Sequence, residues 1–202
     1  MAYHDELAKT KQQPWEDWVF RRQKGIPNNR KLFVLACMDE RLPVEEALGL
    51  NPGDAHVFRN AGGLVTDDAV RSAALTIHFF QTREIIIVNH TDCGMLSAPG
   101  DEVTKAIEQK LNLDLTQVAL DPELPSFKLL REQVHQWWKM QTDIDEASIA
   151  QVEAFRNHPL IPKDVPITSY VYEVESRRLR RPRDIYANRV SKAAHLRKRE
   201  AA

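Results

Sequence analysis

Thiols are scarce in this chain: Cys37 and Cys93 are the only cysteines in 202 residues. Two thiols cannot make a disulfide-dense framework, and without a C-x-x-C pair there is little sign of a redox dithiol. Excess charge of one sign is missing too. The formal net charge is −1, which argues against a nucleic-acid role for the chain as a whole. No apolar run is long enough to span a bilayer. The opening Met1-Ala2-Tyr3-His4-Asp5-Glu6 lacks the basic stretch and apolar core of a secretory leader. Internal repeats and low-complexity tracts are absent as well. The expectation is a single globular domain in a reducing cytoplasm, with no nucleic-acid and no membrane partner. Its α/β core runs over 25–182, behind a helical arm at 1–24 and ahead of a basic tail at 183–202.

The hydrophobic pattern alternates between two kinds of element. The stretch from Asp5 to Lys24 reads as an amphipathic helix carrying Trp15, Trp18 and Val19, ended by Gly25-Ile26-Pro27. Leu32-Phe33-Val34-Leu35-Ala36 is a continuous apolar run, as expected of a buried parallel strand. A short helix with Pro43 in its first turn follows, then a strand over Ala55–Arg59. Asp67 and Asp68 start a helix running to about Phe80. Glu84–Asn89 is the strongest strand, rich in β-branched residues. Helices are predicted over 101–112, 126–142 and 145–157, then a strand from Ile167 to Val174, with Arg178–Arg181 pairing back onto it. Such alternation specifies an open, mostly parallel α/β sheet, whose ligands bind beyond the carboxyl ends of the strands. Cys37 falls just past the first of these strands and His90 just past the third, so both reach one edge of the sheet.

That edge carries the chemistry. Cys37, His90 and Cys93 form the two-thiolate, one-imidazole set of a catalytic zinc with an open fourth position. Two thiolates cancel the charge of the dication, so a bound water is acidified less than on a three-histidine site. Asp39 answers this need by accepting a hydrogen bond from that water. Arg41 pairs with Asp39, keeping it ionised and off the metal. Two further readings fit the same residues: a structural zinc with Asp39 as its fourth ligand, and an unrelated pair of buried cysteines. His56 and His78 read as packed residues, and His158 before Pro159 as part of a turn. Arg59-Asn60-Ala61-Gly62-Gly63 has neither Walker nor dinucleotide spacing, and its glycines suit close backbone approach near the metal. The arginines from Arg177 to Arg183, with Arg197, Lys198 and Arg199, read as a solvated or subunit-contacting tail.

Cys37-x-Asp39-x-Arg41, Arg59-Asn60-Ala61-Gly62-Gly63 and His90-x-x-Cys93-Gly94 together resemble the β-class carbonic anhydrases in order and spacing. The resemblance extends from about residue 25 to residue 182. Two positions depart from the usual wording: Glu40 stands where Ser is common, and Met95 where a second Gly is common. Cys37-Met38-Asp39-Glu40-Arg41, His90-Thr91-Asp92-Cys93-Gly94-Met95 and Asn157-His158-Pro159-Leu160-Ile161-Pro162 are similar to the carbon disulfide hydrolase branch, and more loosely to carbonyl sulfide hydrolases.

The resemblance implies a β-carbonic anhydrase-like α/β fold: a mostly parallel central sheet with an antiparallel edge strand, flanked by helices. It implies one Zn(2+) per subunit on Cys37, His90 and Cys93, with Asp39 and Arg41 as the catalytic dyad. The implied reaction is hydrolysis of carbon disulfide to carbonyl sulfide and then carbon dioxide, through hydroxide attack on the central carbon, with hydrogen sulfide released. Carbon dioxide hydration, carbonyl sulfide hydrolysis and a non-catalytic zinc protein are the alternatives. An apolar entrance, with Phe79, Phe80, Met95 and Leu96 as lining candidates, would favour carbon disulfide over hydrated bicarbonate. A homo-oligomer built from dimers and rising to an octamer or larger is also implied, with the N-terminal helix lying across a partner subunit.

Overall fold

A computed structural model describes residues 27–122 and 124–183. The expected N-terminal helix, and the basic tail beyond Arg183, lie outside the described residues. The chain first lays down strand β1 (Leu32–Cys37), every residue of which is buried. A strand buried on both faces belongs in the interior of a parallel sheet, and β1 is there. The short helix α1 (Val44–Ala47) leads to strand β2 (Ala55–Asn60), and helix α2 (Asp67–Phe79) to strand β3 (Glu84–His90). Helices α3 (Gly100–Leu111), α4 (Arg131–Trp137) and α5 (Ile144–Asn157) precede strands β4 (Ile167–Glu173) and β5 (Arg178–Arg180).

The five-stranded sheet has the order β2-β1-β3-β4-β5. Four strands are parallel, and β5 returns antiparallel along the edge of β4. Among the described residues the first strand therefore lies inside the sheet, and the chain steps out from it to β2 and crosses back to β3 on the other side of β1. This reversal opens a crevice between the carboxyl ends of β1 and β3. Both expected ligands on these strands sit one residue earlier than predicted: Cys37 is the last residue of β1 and His90 the last of β3. Ala36 lies opposite Val88, so the two strand ends are level.

Each face of the sheet has its own core. On one face, Phe33, Leu35, Ile85 and Ile87 pack with Ala69 and Ala73 of α2 and Phe155 of α5. On the other, Val34, Ala36 and Val88 pack with Leu42, Val44, Tyr172 and both cysteines. The candidate site is thus rooted in the second core. Helix α5 is fixed at its start by Asp143, whose carboxylate accepts hydrogen bonds from the backbone N–H groups of Asp145 and Glu146. Asp145 is itself buried and ion-paired with Arg180 of β5, which also reaches Glu173 of β4.

Two expectations change. The helix predicted over 126–142 is confined to Arg131–Trp137. Leu130 is extended and its N–H donates to the side chain of Gln133, so the helix starts there, and Lys139 takes a positive φ of 53° just beyond its end. Phe79 and Phe80 do not line the site. Helix α2 runs from the crevice edge to the opposite edge, leaving Phe79 exposed and Phe80 beside His56 near the start of β2. His78 is exposed too, donating from Nε2 to the Leu160 carbonyl, rather than packed inside as expected. The His158 turn does form, with Leu160 N–H donating to His158 Nδ1 and Ile161 N–H to its carbonyl.

Candidate metal centre

Strand β1 delivers Cys37, strand β3 delivers His90, and the turn after β3 delivers Cys93. All three are buried, and their ligating atoms lie within 4.8 Å of one another. The two sulfurs are 3.9 Å apart, so the thiols are free. His90 is oriented from behind: Nδ1–H donates to the Thr91 carbonyl at 2.8 Å. That hydrogen bond leaves the Nε2 lone pair facing the thiols, where it meets no N–H or O–H donor. A buried, unpartnered imidazole nitrogen is costly in an ordinary core. Facing two free thiols, it is the donor set of a soft or borderline cation such as zinc. The residues fit the metal.

The electrostatics point the same way. The hydrogen bond from the Cys93 thiol pulls Cys37 down to a pKa of about 4, against the opposing effect of burial, with help from His90. Cys93, donating that bond and buried beside the thiolate, is pushed up. For His90, burial disfavours the imidazolium, but the Cys37 thiolate beside it raises the ring overall. The pocket gathers negative charge that a cation would neutralise.

Asp39 and Arg41 stand at the mouth. Arg41 grips both carboxylate oxygens, Nε to Oδ1 at 2.9 Å and a terminal nitrogen to Oδ2 at 2.7 Å, and its backbone N–H adds a third bond to Oδ1. This grip holds the Asp39 carboxyl far below the usual carboxylate range. Asp39 Oδ2 lies 3.8 Å from His90 Nε2, so the carboxylate faces the ligand cluster while bound to the guanidinium. Beside the dyad a hollow of about 580 Å³ is lined by Arg41, Pro43, Glu46, Ala47, Tyr172, Val174 and Arg177. Its lining carries the charged Arg41, Glu46 and Arg177 and includes none of the three candidate ligands. Of the proposed lining residues, Met95 and Leu96 pack on the core that contains both cysteines.

Several contributing residues escaped the sequence reading. Asp92, between two candidate ligands, accepts from Arg41 at 2.7 Å and so braces the dyad from the opposite loop. Arg59 donates to the backbone carbonyls of Cys37, Asp39 and Leu42, tying down the loop that carries the dyad. Asn60 clasps the Leu64 backbone through both ends of its amide. Arg59, Asn60 and Asp92 all fall inside motifs visible in the sequence, but those motifs do not name the groups their side chains hold. Gly63 behaves as anticipated. It has φ of +62°, and a Cβ there would lie 2.8 Å from Cys37 N and 3.1 Å from the Val88 carbonyl oxygen.

The family model described as "Carbonic anhydrase" matches residues 32–178. A carbon disulfide hydrolase of Acidianus sp. (strain A1-3) is 55% identical over 186 residues, covering 89% of this chain and 91% of that protein. Beta-carbonic anhydrase 1 of Mycobacterium tuberculosis (strain ATCC 25618 / H37Rv) is 34% identical over 160 residues, 79% of this chain and 86% of its own. Among solved structures, the apo form of a carbon disulfide hydrolase superposes with a TM-score of 0.76 at 52% identity, covering 94% of each chain.

Proposed function

The chain belongs to the β-carbonic anhydrase family, and on that premise we propose that it hydrolyses carbon disulfide to carbonyl sulfide and then to carbon dioxide, releasing one hydrogen sulfide at each step. The observation that carries this reading is the gap in similarity: 55% identity to a carbon disulfide hydrolase against 34% to a β-carbonic anhydrase, over similar lengths. One zinc ion per subunit, held by Cys37, His90 and Cys93, would supply an acidified water for attack on the electrophilic carbon.

The chain's own residues govern that attack. Asp39 is held so far below the usual carboxylate range that it is a poor proton acceptor, which suits it to orient the attacking water by accepting a hydrogen bond rather than to carry its proton away. Arg41, with Asp92 behind it, fixes the direction of that acceptor. The pairing of Asp39 with Arg41 also favours the catalytic reading over one in which Asp39 is a permanent fourth ligand. Discrimination against hydrated anions falls to apolar groups near the cysteines, among them Met95, because an anion pays heavily for losing its water.

The thiols must stay reduced to serve as ligands, which suits a cytoplasmic location. Among the described residues no helix is long and apolar enough to cross a membrane. Assembly from dimers into a larger homo-oligomer accords with the exposed Leu111, Leu124, Phe127, Leu130 and Trp137 between the end of α3 and the end of α4. The test of function is sulfide release from carbon disulfide by the purified protein, repeated after chelation and after zinc is restored. Zinc-dependent release of two sulfides per carbon disulfide supports the proposal, and no release from the zinc-loaded protein refutes it.

A further inference from the structure

Asn89 is the one strongly polar residue between the apolar run of β3 and His90, and it is wholly buried. Along a strand, successive side chains point to opposite faces, so Asn89 and His90 diverge from adjacent positions. His90 turns toward the thiols. Asn89 turns toward the Ala61–Gly63 turn after β2, donating from its amide nitrogen to the Gly62 carbonyl at 2.7 Å and to the Gly63 carbonyl at 3.3 Å. Two carbonyl partners fix the amide's orientation, because only its NH₂ end can serve both. The Oδ1 end is buried and meets no donor. The residue therefore tolerates an unpaired carbonyl in order to hold this turn.

The turn in question is wedged against β1. Gly62 and Gly63 both have positive φ, and Gly63 sits where a Cβ would press on Cys37 N and Ala36 C. A continuous path runs from His90 through its neighbour Asn89, across two hydrogen bonds to the glycine turn, and by close backbone contact to Cys37. It links the two strands that carry ligands without passing through the ligands themselves. We propose that Asn89 is a positioning residue for the metal: by anchoring the glycine turn it sets the separation of Cys37 from His90, and with it the coordination geometry. The proposal rests on the zinc reading of Cys37, His90 and Cys93. It assigns a buried amide, remote from substrate, to the metal's outer support.

Outer partners that orient metal ligands typically contribute about 10- to 100-fold in affinity. The variant N89L keeps the branched four-heavy-atom skeleton of the side chain and removes both donors. Full-length wild type and N89L are compared by zinc affinity in a competition titration with a chromophoric chelator, and by the absorption spectrum of the cobalt(II)-substituted protein. N89S, which retains a small donor and adds no bulk, serves if N89L does not fold. Q151L is the reference for loss of a buried polar group: Gln151 accepts from Val65 N–H two residues beyond the turn but bridges no ligand strand. The expected result is zinc binding about 10-fold or more weaker in N89L or N89S, with altered cobalt bands, while Q151L keeps the wild-type spectrum. Wild-type zinc affinity and cobalt bands in a folded Asn89 variant would overturn the proposal, as would equal shifts in Q151L. If wild type itself failed to bind zinc, it is the zinc reading that would fall.

Discussion

Replacing Gly63 with alanine tests how the fold holds the cysteine strand. Two separable costs arise. The backbone at Gly63 has φ of +62°, a left-handed conformation that costs an L-residue about 1–2 kcal/mol. The added Cβ would also stand 2.8 Å from Cys37 N, 2.9 Å from Ala36 C and 3.1 Å from the Val88 carbonyl oxygen. All three are backbone atoms of paired strands, so no rotamer change relieves the contact, and overpacking of this kind costs about 1–3 kcal/mol. The sum is roughly 2–5 kcal/mol. Gly49 supplies the comparison: its φ is +63°, but a Cβ there meets nothing within 4 Å. G49A should lose only the conformational part, about 1–2 kcal/mol. Urea unfolding of wild type, G49A and G63A, with the slopes checked for constancy, measures both. If G63A lost no more stability than G49A, the close packing of the turn on β1 would carry no energetic weight, and the reasoning would be wrong.

The remaining predictions concern the centre and the sheet edge. Cys37→Ala should abolish stoichiometric zinc in metal analysis, whereas Asp39→Ala should retain zinc and lose about 100-fold or more in turnover; parent-rate turnover in the latter would remove Asp39 from the mechanism. Asp145→Ala removes one of the two carboxylates that pair with Arg180, leaving it Glu173, and should cost about 2 kcal/mol in denaturant unfolding. Burial alone would raise the Asp145 carboxyl, but hydrogen bonds from Arg180 and the Arg183 backbone lower it overall. A depressed carboxyl contributes stability that is present above its unfolded value near 3.9 and is lost as pH falls through the folded value. The stability difference between wild type and Asp145→Asn should therefore hold from pH 7 to 5 and shrink below about pH 4; a difference that grew on acidification would contradict the pairing.

The sequence made the order of elements legible because each strand is short, apolar and bounded. Leu32–Cys37 and Glu84–His90 needed only their composition to be recognised as interior strands. Topology then brought Cys37 and His90 to one edge, since parallel strands end on the same side. Two things were not legible. Phe127, Leu130 and Val134 recur at helical spacing, yet the helix begins only after Leu130, where capping by Gln133 outweighs periodicity. Arg59 stood inside a recognisable motif, but the roles of Asn89, Asp92 and Arg59 were not legible, because the carbonyls of the glycine turn, the Arg41 guanidinium and the dyad loop that they meet are brought near only by the fold. Phe79 and Phe80 were misjudged for the converse reason: proximity of α2's start to the site says nothing of where thirteen residues of helix end.

The central claim is tested most directly by measuring carbon disulfide hydrolysis and carbon dioxide hydration side by side on one zinc-loaded preparation. The proposed function predicts rapid release of hydrogen sulfide from carbon disulfide, with carbon dioxide hydration slower by comparison. Rapid carbon dioxide hydration with no hydrogen sulfide from carbon disulfide would contradict it.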